Sequence, residues 1–191
     1  GPIEASRKII RYLEWQVVAQ VQRWRILRMP DNEARFTHIY KVNFWAAKES
    51  RSGPGSSLND TTELRRRLPE LFRQFSIGTV FDAPCGDFNW MQAVVAAEPI
   101  RYIGGDIVRP MIEENQRRHG SDRVTFRHHD ITRDPLPAAD LWICRDCLYH
   151  LSIEDIRRAL QRFVESNVPY LLASTHRVVN GPANIEIASG D

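Results

Sequence analysis

Three aspartates recur at intervals of 24 residues along this chain, at positions Asp82, Asp106 and Asp130. Each follows a short run rich in apolar or β-branched residues, and these runs are residues 79–81, 100–103 and 124–126. Such runs predict β-strands, and the interval leaves room for a helix that returns the chain to a parallel neighbour. Parallel strands end at one edge of their sheet, where open α/β sheets bind ligands. A single acid there can merely cap a helix, but three in register favour a binding site.

The turn after the first run, Ala83-Pro84-Cys85-Gly86-Asp87, is predicted to join a strand to a helix. Pro84 cannot continue a helix and Gly86 can adopt a positive φ angle, so the backbone can approach a ligand closely. Asp106 follows Gly86 by 20 residues, where an acid accepts hydrogen bonds from ribose hydroxyls. We expect Asp87 to cap a helix that begins near Phe88. The turn has one glycine where the dinucleotide fingerprint has three, so alone it fits any α/β domain.

The rest of the C-terminal half continues the alternation of helices and strands. Residues 110–119 and 153–166 are predicted helices, the second capped by Ser152. Residues 141–144 and 170–174 are predicted strands, and the first of them lacks polar side chains, as a central strand should. The alternation predicts an α/β fold: a doubly wound, mostly parallel sheet with helices on both faces. The first and fourth strands are neighbours in this topology.

The N-terminal region, residues 1–30, is predicted to contain an amphipathic helix over residues 4–28. Apolar residues recur every seven positions, at Ile3, Ile10, Val17 and Trp24, and another face is basic. This helix can dock on the domain, pair with a second copy in a homo-oligomer, or make peripheral contact with an anionic membrane surface. Gly1-Pro2 is typical of a protease-cleavage scar.

Residues 31–76 are predicted to form a helical cap on the core, which spans residues 77–191. Residues 34–45 mix aromatic and polar side chains and predict a short helix over a pocket. The loop 49–57 is rich in Gly, Ser and Pro, and it is either a disordered linker or a lid over a polar ligand. Thr61 or Thr62 should cap the next helix, which Pro69 should kink or restart.

Charge and composition exclude several functions. The chain has 26 basic and 24 acidic residues, and the basic ones are scattered rather than arranged in the stripe that nucleic-acid binding requires. No apolar run reaches the ~18 residues of a membrane span, so no transmembrane segment is predicted. Three cysteines, an odd number, indicate a reducing compartment, and we therefore predict a cytoplasmic protein.

Three segments carry a resemblance to a known family: residues 82–91 (Asp-Ala-Pro-Cys-Gly-Asp-Phe-Asn-Trp-Met), residues 102–107 (Tyr-Ile-Gly-Gly-Asp-Ile) and residues 144–151 (Cys-Arg-Asp-Cys-Leu-Tyr-His-Leu). They resemble class I S-adenosylmethionine-dependent methyltransferases. The Pro-Cys-Gly-Asp-Phe-Asn-Trp turn is similar to that of a bacterial small-molecule branch, some members of which are associated with surface-polysaccharide synthesis. The resemblance covers roughly residues 39–191. It implies a Rossmann-like fold, S-adenosylmethionine as cofactor, S-adenosylhomocysteine as product and a small-molecule acceptor, here a sugar or glycan intermediate.

The resemblance also implies roles for individual residues. The turn would cradle the methionine part of the cofactor, Asp106 would hold the ribose, and Asp130 with Ile131 would flank the adenine. The residues implied to bind the cofactor are Asp82, Ala83, Pro84, Cys85, Gly86, Asp87, Trp90, Asp106, Ile107, Asp130, Ile131 and Arg145. The family turn is usually Gly-rich, and Ala83-Pro84-Cys85 departs from it. The family sheet normally ends in an antiparallel hairpin, for which only Val178, Val179 and residues 185–187 remain, so we expect an incomplete hairpin.

The candidate catalytic residues, Arg145, Asp146 and His150, lie just after the fourth predicted strand. Methyl transfer from a sulfonium needs alignment, exclusion of water and, for a hydroxyl acceptor, removal of a proton. His150 suits a general base for that hydroxyl, and Asp146 would orient it. Alternatively, His150 caps the helix at Ser152. His176 is a second candidate base, whereas His128 and His129 are expected at the surface or beside the adenine.

Two other interpretations remain open. Cys85, Cys144, Cys147 and His150 are acceptable zinc ligands, but a zinc ion there would block the cofactor, and we predict no metal. A redox role for Cys144 and Cys147 is weaker, because the motif does not open a helix. The alternative from another functional class is a non-catalytic module that assembles through its N-terminal helix.

Overall fold

The computed structural model describes residues 2–174 and 186–190 of the chain. Its core is one sheet of five parallel strands in the order β3-β2-β1-β4-β5. The strands are β1 (Thr79–Asp82), β2 (Arg101–Asp106), β3 (Val124–His128), β4 (Leu141–Cys144) and β5 (Tyr170–Ala173). The predicted parallel Rossmann-like sheet is confirmed, including the pairing of β1 with β4. His176, Val178, Val179 and residue 185 lie outside the described residues, so the expectation about the hairpin stays a prediction.

Helices cover both faces of the sheet. They are α1 (Pro2–Leu27), α2 (Asn32–Val42), α3 (Thr62–Gln74), α4 (Met91–Ala97), α5 (Arg109–His119) and α6 (Ile153–Glu165). Alternate strand residues contribute to two apolar clusters: Leu141 and Ile143 face α3, α4 and α5, whereas Trp142 and Cys144 face α6. This alternation follows from the two-residue period of a strand and explains why β4 has no polar side chain.

The expected caps of α3 and α4 are wrong, and of the two outcomes expected at Pro69 the restart is wrong. Thr61 precedes α3 but its hydroxyl donates backwards to the Ser57 carbonyl at 2.7 Å, so it does not cap the helix. The helix does not restart at Pro69, which lies inside the continuous α3. The helix after the turn begins at Met91, later than expected, and Asp87 does not cap it.

The N-terminal helix α1 contacts α2 near its C-terminal end. Ile26 is fully buried, and the Gln22 side chain bonds the His38 ring at 2.7 Å. Three valines and a tryptophan of α1 remain exposed, and these are Val17, Val18, Val21 and Trp24. Within residues 2–174 and 186–190, no helix has both the length and the apolar character that crossing a bilayer requires.

Candidate functional site

A cleft that is partly open to solvent lies at the carboxyl ends of the strands. Asp82 ends β1, Asp106 ends β2 and Asp130 follows β3, and all three line this cleft. This edge is where open α/β sheets bind ligands. The structure therefore brings together the three acids that the regular spacing places at one sheet edge.

Asp82 is buried, with only 2% of its surface exposed. Its Oδ2 accepts a hydrogen bond from the Tyr102 hydroxyl of β2 at 2.7 Å. Loss of solvent raises the pKa of Asp82 to about 7, and the Tyr102 hydrogen bond only partly opposes this rise. Near neutral pH the carboxyl is thus poised between its two protonation states, and a cationic ligand would favour the ionised one.

Asp106 holds the turn that follows β1. Its Oδ2 accepts from the Gly86 N–H at 3.1 Å and its Oδ1 from the Val108 N–H at 3.0 Å. Burial raises the pKa of Asp106 to about 6, and the backbone hydrogen bonds oppose this rise. A carboxylate has about four acceptor positions, so each oxygen retains capacity for a ligand donor.

The turn borders the cleft through Pro84, Cys85 and Gly86. Cys85 also contributes to the apolar cluster under β1 and β2, and its N–H donates to the Gly105 carbonyl at 2.8 Å. Gly86 has a φ angle of 58°, and a side chain there would collide with Ser52. The Ala83–Pro84 peptide bond is cis. The turn therefore still borders the cleft despite its departure from a Gly-rich sequence at Ala83-Pro84-Cys85.

The loop 49–57 is ordered against this turn, so the disordered-linker interpretation is wrong. Ser50 Oγ donates to Asp87 Oδ1 and the Arg51 N–H to Asp87 Oδ2, each at 2.9 Å. The Asp87 N–H donates in return to Ser52 Oγ at 2.8 Å. Asp87 therefore binds the loop through hydrogen bonds that replace the helix cap expected from the sequence.

The segment after β4 closes another side of the cleft. Arg145 forms an ion pair with Asp146 at 2.8 Å and donates to the Gly55 carbonyl at 2.9 Å, which joins it to the loop 49–57. Asp146 has a φ angle of 48°, and its Oδ1 accepts from the Ser174 hydroxyl at 3.1 Å. These contacts fix both side chains at the cleft.

His150 lies between aromatic rings at the same side of the cleft. Its ring centroid is 5.7 Å from that of Trp45 and 4.5 Å from that of Tyr149. The N–H of Gly190 donates to the His150 carbonyl at 2.8 Å. Ser152 caps α6 as expected, by accepting from the Asp155 N–H at 3.1 Å.

Residues 32–56 supply a further part of the cleft lining. Phe36 and Tyr40 of α2 and Trp45 beyond it supply aromatic surface, and Arg51 supplies a guanidinium group. The Arg51 Cζ lies 5.6 Å from the centroid of the Tyr40 ring. The short helix expected in this region spans Asn32–Val42, and it carries the Phe36 and Tyr40 rings one helical turn apart because they are spaced i, i+4. Its role as a cap over the pocket stays a prediction.

Residues 80–169 match the methyltransferase domain family. The match covers just under half of the chain and includes β1 to β4, the turn and the segment with Arg145, Asp146 and His150. No curated protein matches the chain.

Several solved structures have a similar fold. LaPhzM is 14% identical with a TM-score of 0.49, over 65% of this chain and 39% of that one. Human N-acetylserotonin methyltransferase in complex with SAM is 16% identical with a TM-score of 0.42, over 66% and 40%. Thermoplasma acidophilum 1320 is 21% identical with a TM-score of 0.45, over 56% and 58%. The present chain spans well under two thirds of the length of each.

One residue of the matched domain contributes to the site without having been expected there. Asn115 of α5 is buried, and its side-chain N–H₂ donates to the Gly86 carbonyl at 2.8 Å. The sequence contains a signal for it, because Asn115 follows Met111 by four residues and so shares the buried face of its helix. Asn115 holds the turn from the side opposite Asp106.

His129 is 1% exposed, so of its two expected places the surface is excluded. It lines the cleft beside Asp130 and Ile131, and its expected place beside the adenine stays a prediction. Its ring meets Phe81 edge-on at 4.9 Å, and neither ring nitrogen has a hydrogen-bond partner within the described part of the chain. Burial lowers the pKa of His129 to about 4, which keeps the ring neutral. His128 is instead half-buried, and its Nε2 lies 3.1 Å from the Ile107 carbonyl.

The zinc alternative finds no support in the geometry. Among residues 2–174 and 186–190, no group of three or more His, Cys, Asp or Glu side chains is arranged to hold a metal ion. Cys85, Cys144 and Cys147 are buried free thiols. Burial raises the pKa of the Cys85 thiol well above the usual range, and the hydrogen bond with Cys144, together with burial, does the same for the Cys147 thiol. Such thiols are poor metal ligands and poor nucleophiles.

Proposed function

We propose that this chain is an S-adenosylmethionine-dependent methyltransferase that transfers a methyl group to a hydroxyl of a small acceptor, a sugar or glycan intermediate. The observation that carries the proposal is the pair of buried carboxyls, Asp82 and Asp106, beside the Gly86 turn within the domain that matches methyltransferases. Buried carboxyls with raised pKa values cluster at functional sites.

The residues at this edge fit the cofactor chemically. S-adenosylmethionine carries an ammonium and a sulfonium, which suit the acids of the cleft, a carboxylate, which suits Arg145, and two ribose hydroxyls, which suit the remaining acceptor positions of Asp106. Gly86 lines the same cleft, and its lack of a side chain lets Ser52 of the loop 49–57 pack against the turn. Trp90, Ile107, Asp130 and Ile131 line the same cleft. We assign these residues to cofactor binding with Asp82, Ala83, Pro84, Cys85, Gly86, Asp87 and Arg145.

The bound cofactor supplies an electrophilic methyl group. His150 then accepts the proton of the acceptor hydroxyl, because a neutral imidazole is a competent base near neutral pH. Asp146 orients the histidine, and Arg145 joins the loop 49–57 to Asp146 so that water is excluded. Alignment and exclusion of water are the main requirements of the displacement.

The hypothesis of a sugar acceptor rests on the aromatic side chains that line part of the cleft. Phe36, Tyr40 and Trp45 offer flat apolar surface of the kind that lines small-molecule pockets. A sugar ring presents an apolar face and a rim of hydroxyls, so it can use these rings and reach His150 with one hydroxyl. The balanced net charge disfavours nucleic acid as the acceptor.

Calorimetric titration with S-adenosylhomocysteine is the first test. We expect saturable binding, and its absence at millimolar ligand would rule out the enzyme hypothesis. A methyl-transfer assay with labelled cofactor over a panel of sugars, a peptide and an oligonucleotide tests the acceptor. Transfer to the peptide or the oligonucleotide alone would contradict the sugar assignment.

The second candidate is a non-catalytic assembly module, favoured by the exposed apolar residues of α1. Val17, Val21 and Trp24 recur at i, i+4 and i+7 and so form one stripe on the face away from the buried Ile26. The same titration separates the candidates, because a module that only assembles has no need to bind the cofactor product.

A further inference from the structure

The cleft is lined by both acidic and basic side chains. Asp82, Asp106 and Asp130 lie at or just beyond the strand ends, Arg145 follows β4, and Arg51 belongs to the segment 32–56. The ammonium and sulfonium of the proposed cofactor suit the acids, and its carboxylate suits Arg145, which is already assigned to cofactor binding. Arg51 is the arginine of the cleft that this assignment leaves for the acceptor.

Arg51 differs from the other arginine of the cleft in its partners. The Arg145 guanidinium forms an ion pair with Asp146 at 2.8 Å and donates a hydrogen bond to the Gly55 carbonyl at 2.9 Å. Arg51 has no carboxylate within ion-pair distance among the described residues, and its one side-chain hydrogen bond is long, 3.4 Å to the Tyr40 carbonyl. Its charge is therefore not neutralised by the part of the chain that the structure describes.

The position of Arg51 is nevertheless fixed. Its backbone N–H donates to Asp87 Oδ2 at 2.9 Å, and the neighbouring Ser50 is 1% exposed. The guanidinium lies beside the face of the Tyr40 ring, which limits where it can swing. A guanidinium held in this way retains the fork of donors that matches carboxylate and phosphate oxygens.

We propose that the acceptor is an anionic sugar, whose phosphate or carboxylate group binds Arg51 while its ring lies on the aromatic wall. This inference rests on the proposed function and adds the charge of the substrate to it. The anion contact fixes one end of the sugar, and Phe36, Tyr40 and Trp45 support the ring, so that a hydroxyl at the other end meets His150.

The binding test uses glucose, glucose 6-phosphate and glucuronate, titrated into the full chain in the presence of saturating S-adenosylhomocysteine. Trp45 and Trp90 line the cleft, so tryptophan fluorescence reports occupancy. We expect both acids to bind at least about 10-fold more tightly than glucose, since hydrogen bonds to charged groups are the strong ones. The difference between the two acids tells whether the anion is a phosphate or a carboxylate.

Three variants assign the preference to the side chain. Arg51→Ala should remove the preference for the acids by about 10-fold or more, and Arg51→Lys should restore part of it. Lys48→Ala is the control: it removes an equal charge from an exposed position three residues earlier, outside the cleft. It should leave the preference for the acids unchanged. None of these variants should alter the affinity for S-adenosylhomocysteine, because Arg51 holds Asp87 through its backbone.

The outcomes separate the two proposals. If S-adenosylhomocysteine binds but the three sugars bind equally, or if neither acid saturates, the anionic acceptor is wrong and the methyltransferase assignment stands. The same conclusion follows if Arg51→Ala keeps the preference. If S-adenosylhomocysteine itself does not bind, the proposed function fails.

Discussion

At the scale of single residues, Asp106 combines a proposed ligand contact with a structural role that its sequence position does not reveal. Its position 20 residues beyond Gly86 predicts a contact with a ribose. In the structure both of its oxygens also accept backbone N–H groups, at Gly86 and Val108, so it shapes the turn as well as the pocket. A variant of Asp106 alone therefore mixes loss of a ligand contact with loosening of the turn.

Comparison with Asn115 separates these two effects. Asp106→Ala should weaken S-adenosylhomocysteine binding by about 10- to 100-fold, the range expected for hydrogen bonds to a charged group. Asn115→Ala releases the Gly86 carbonyl from the same turn but removes no acid, and should weaken binding by about 5-fold or less. Calorimetry on both variants measures the difference. Equal losses would mean that Asp106 acts only through the turn.

His150 is the residue on which the proposed proton transfer depends. His150→Ala should lower kcat by about 100-fold or more with little change in cofactor affinity, because a general base contributes to the proton transfer and not to ground-state binding. Single-turnover assays alongside titration with S-adenosylhomocysteine give both quantities. A parallel fall in both would indicate that the ring only supports the packing of Trp45 and Tyr149.

At the scale of elements, the loop 49–57 and the turn 83–90 form one unit. The three hydrogen bonds between Asp87 and residues 50–52 cross 35 to 37 positions of sequence. Asn89 adds two more, to the Glu49 carboxylate at 2.7 Å and the Ser56 carbonyl at 2.9 Å. The loop 49–57 thus lies against the turn 83–90, to which we assign cofactor binding. We expect the conformation of the loop to depend on these hydrogen bonds to the turn.

Ser50→Ala tests this dependence. It removes the donor to Asp87 and the acceptor for the Ser52 N–H, and we expect cofactor affinity to fall about 3- to 10-fold with faster amide exchange over residues 49–57. Ser57→Ala is the matched control, because that hydroxyl accepts only the Asp60 N–H, outside the cleft. If Ser50→Ala exchanges no faster than the wild type, the loop is held by something other than Asp87.

The helix that follows the turn shows what short-range patterns miss. Asp87 has the side chain and the position of a helix cap, but partners 36 residues earlier satisfy its carboxylate. The helix therefore begins at Met91 with Trp90 before it and no side-chain cap. By contrast, β4 was predictable because its four apolar residues need no distant partner to explain them.

At the scale of the whole molecule, the segment 186–190 ties distant elements together beside the site. Ser189 Oγ donates to Asp155 Oδ2 at 2.6 Å and accepts from the Ser152 N–H at 2.9 Å, and Asn32 donates to the same Asp155 oxygen at 2.9 Å. These contacts connect the starts of α2 and α6. They also support the Gly190 bond to the His150 carbonyl.

How far the sequence predicts the whole depends on the range of the interactions. The sheet and its acidic edge follow from alternation and spacing, which are local. The buried position of His129 does not follow from a local pattern. It arises because β3 ends at His128 and the next residue packs against Phe81. The contact between loop 49–57 and the turn likewise depends on packing that no local pattern encodes.

The titration of Asp82 should make the stability of the whole molecule depend on pH. Its pKa is about 3.9 in an unfolded chain and about 7 in the folded one, so folding retains a proton that the unfolded chain releases. The retained proton stabilises the folded state, and this stabilisation is fully present below about pH 4 and is lost as the pH rises towards 7. His129, whose folded pKa is lowered to about 4, acts in the opposite sense between about pH 4 and 6.5.

Comparison with Asp82→Asn isolates the carboxyl from His129 and the other groups. The asparagine oxygen can still accept from Tyr102 but does not titrate. Between pH 5 and pH 8 the wild type should lose about 3 kcal/mol of unfolding free energy relative to the variant, at about 1.4 kcal/mol per unit of pKa shift. Urea unfolding of the ligand-free protein at the two pH values measures this difference. Parallel changes in the unfolding free energies of both proteins would mean that Asp82 is already ionised at pH 5. That result would contradict the raised pKa of this carboxyl.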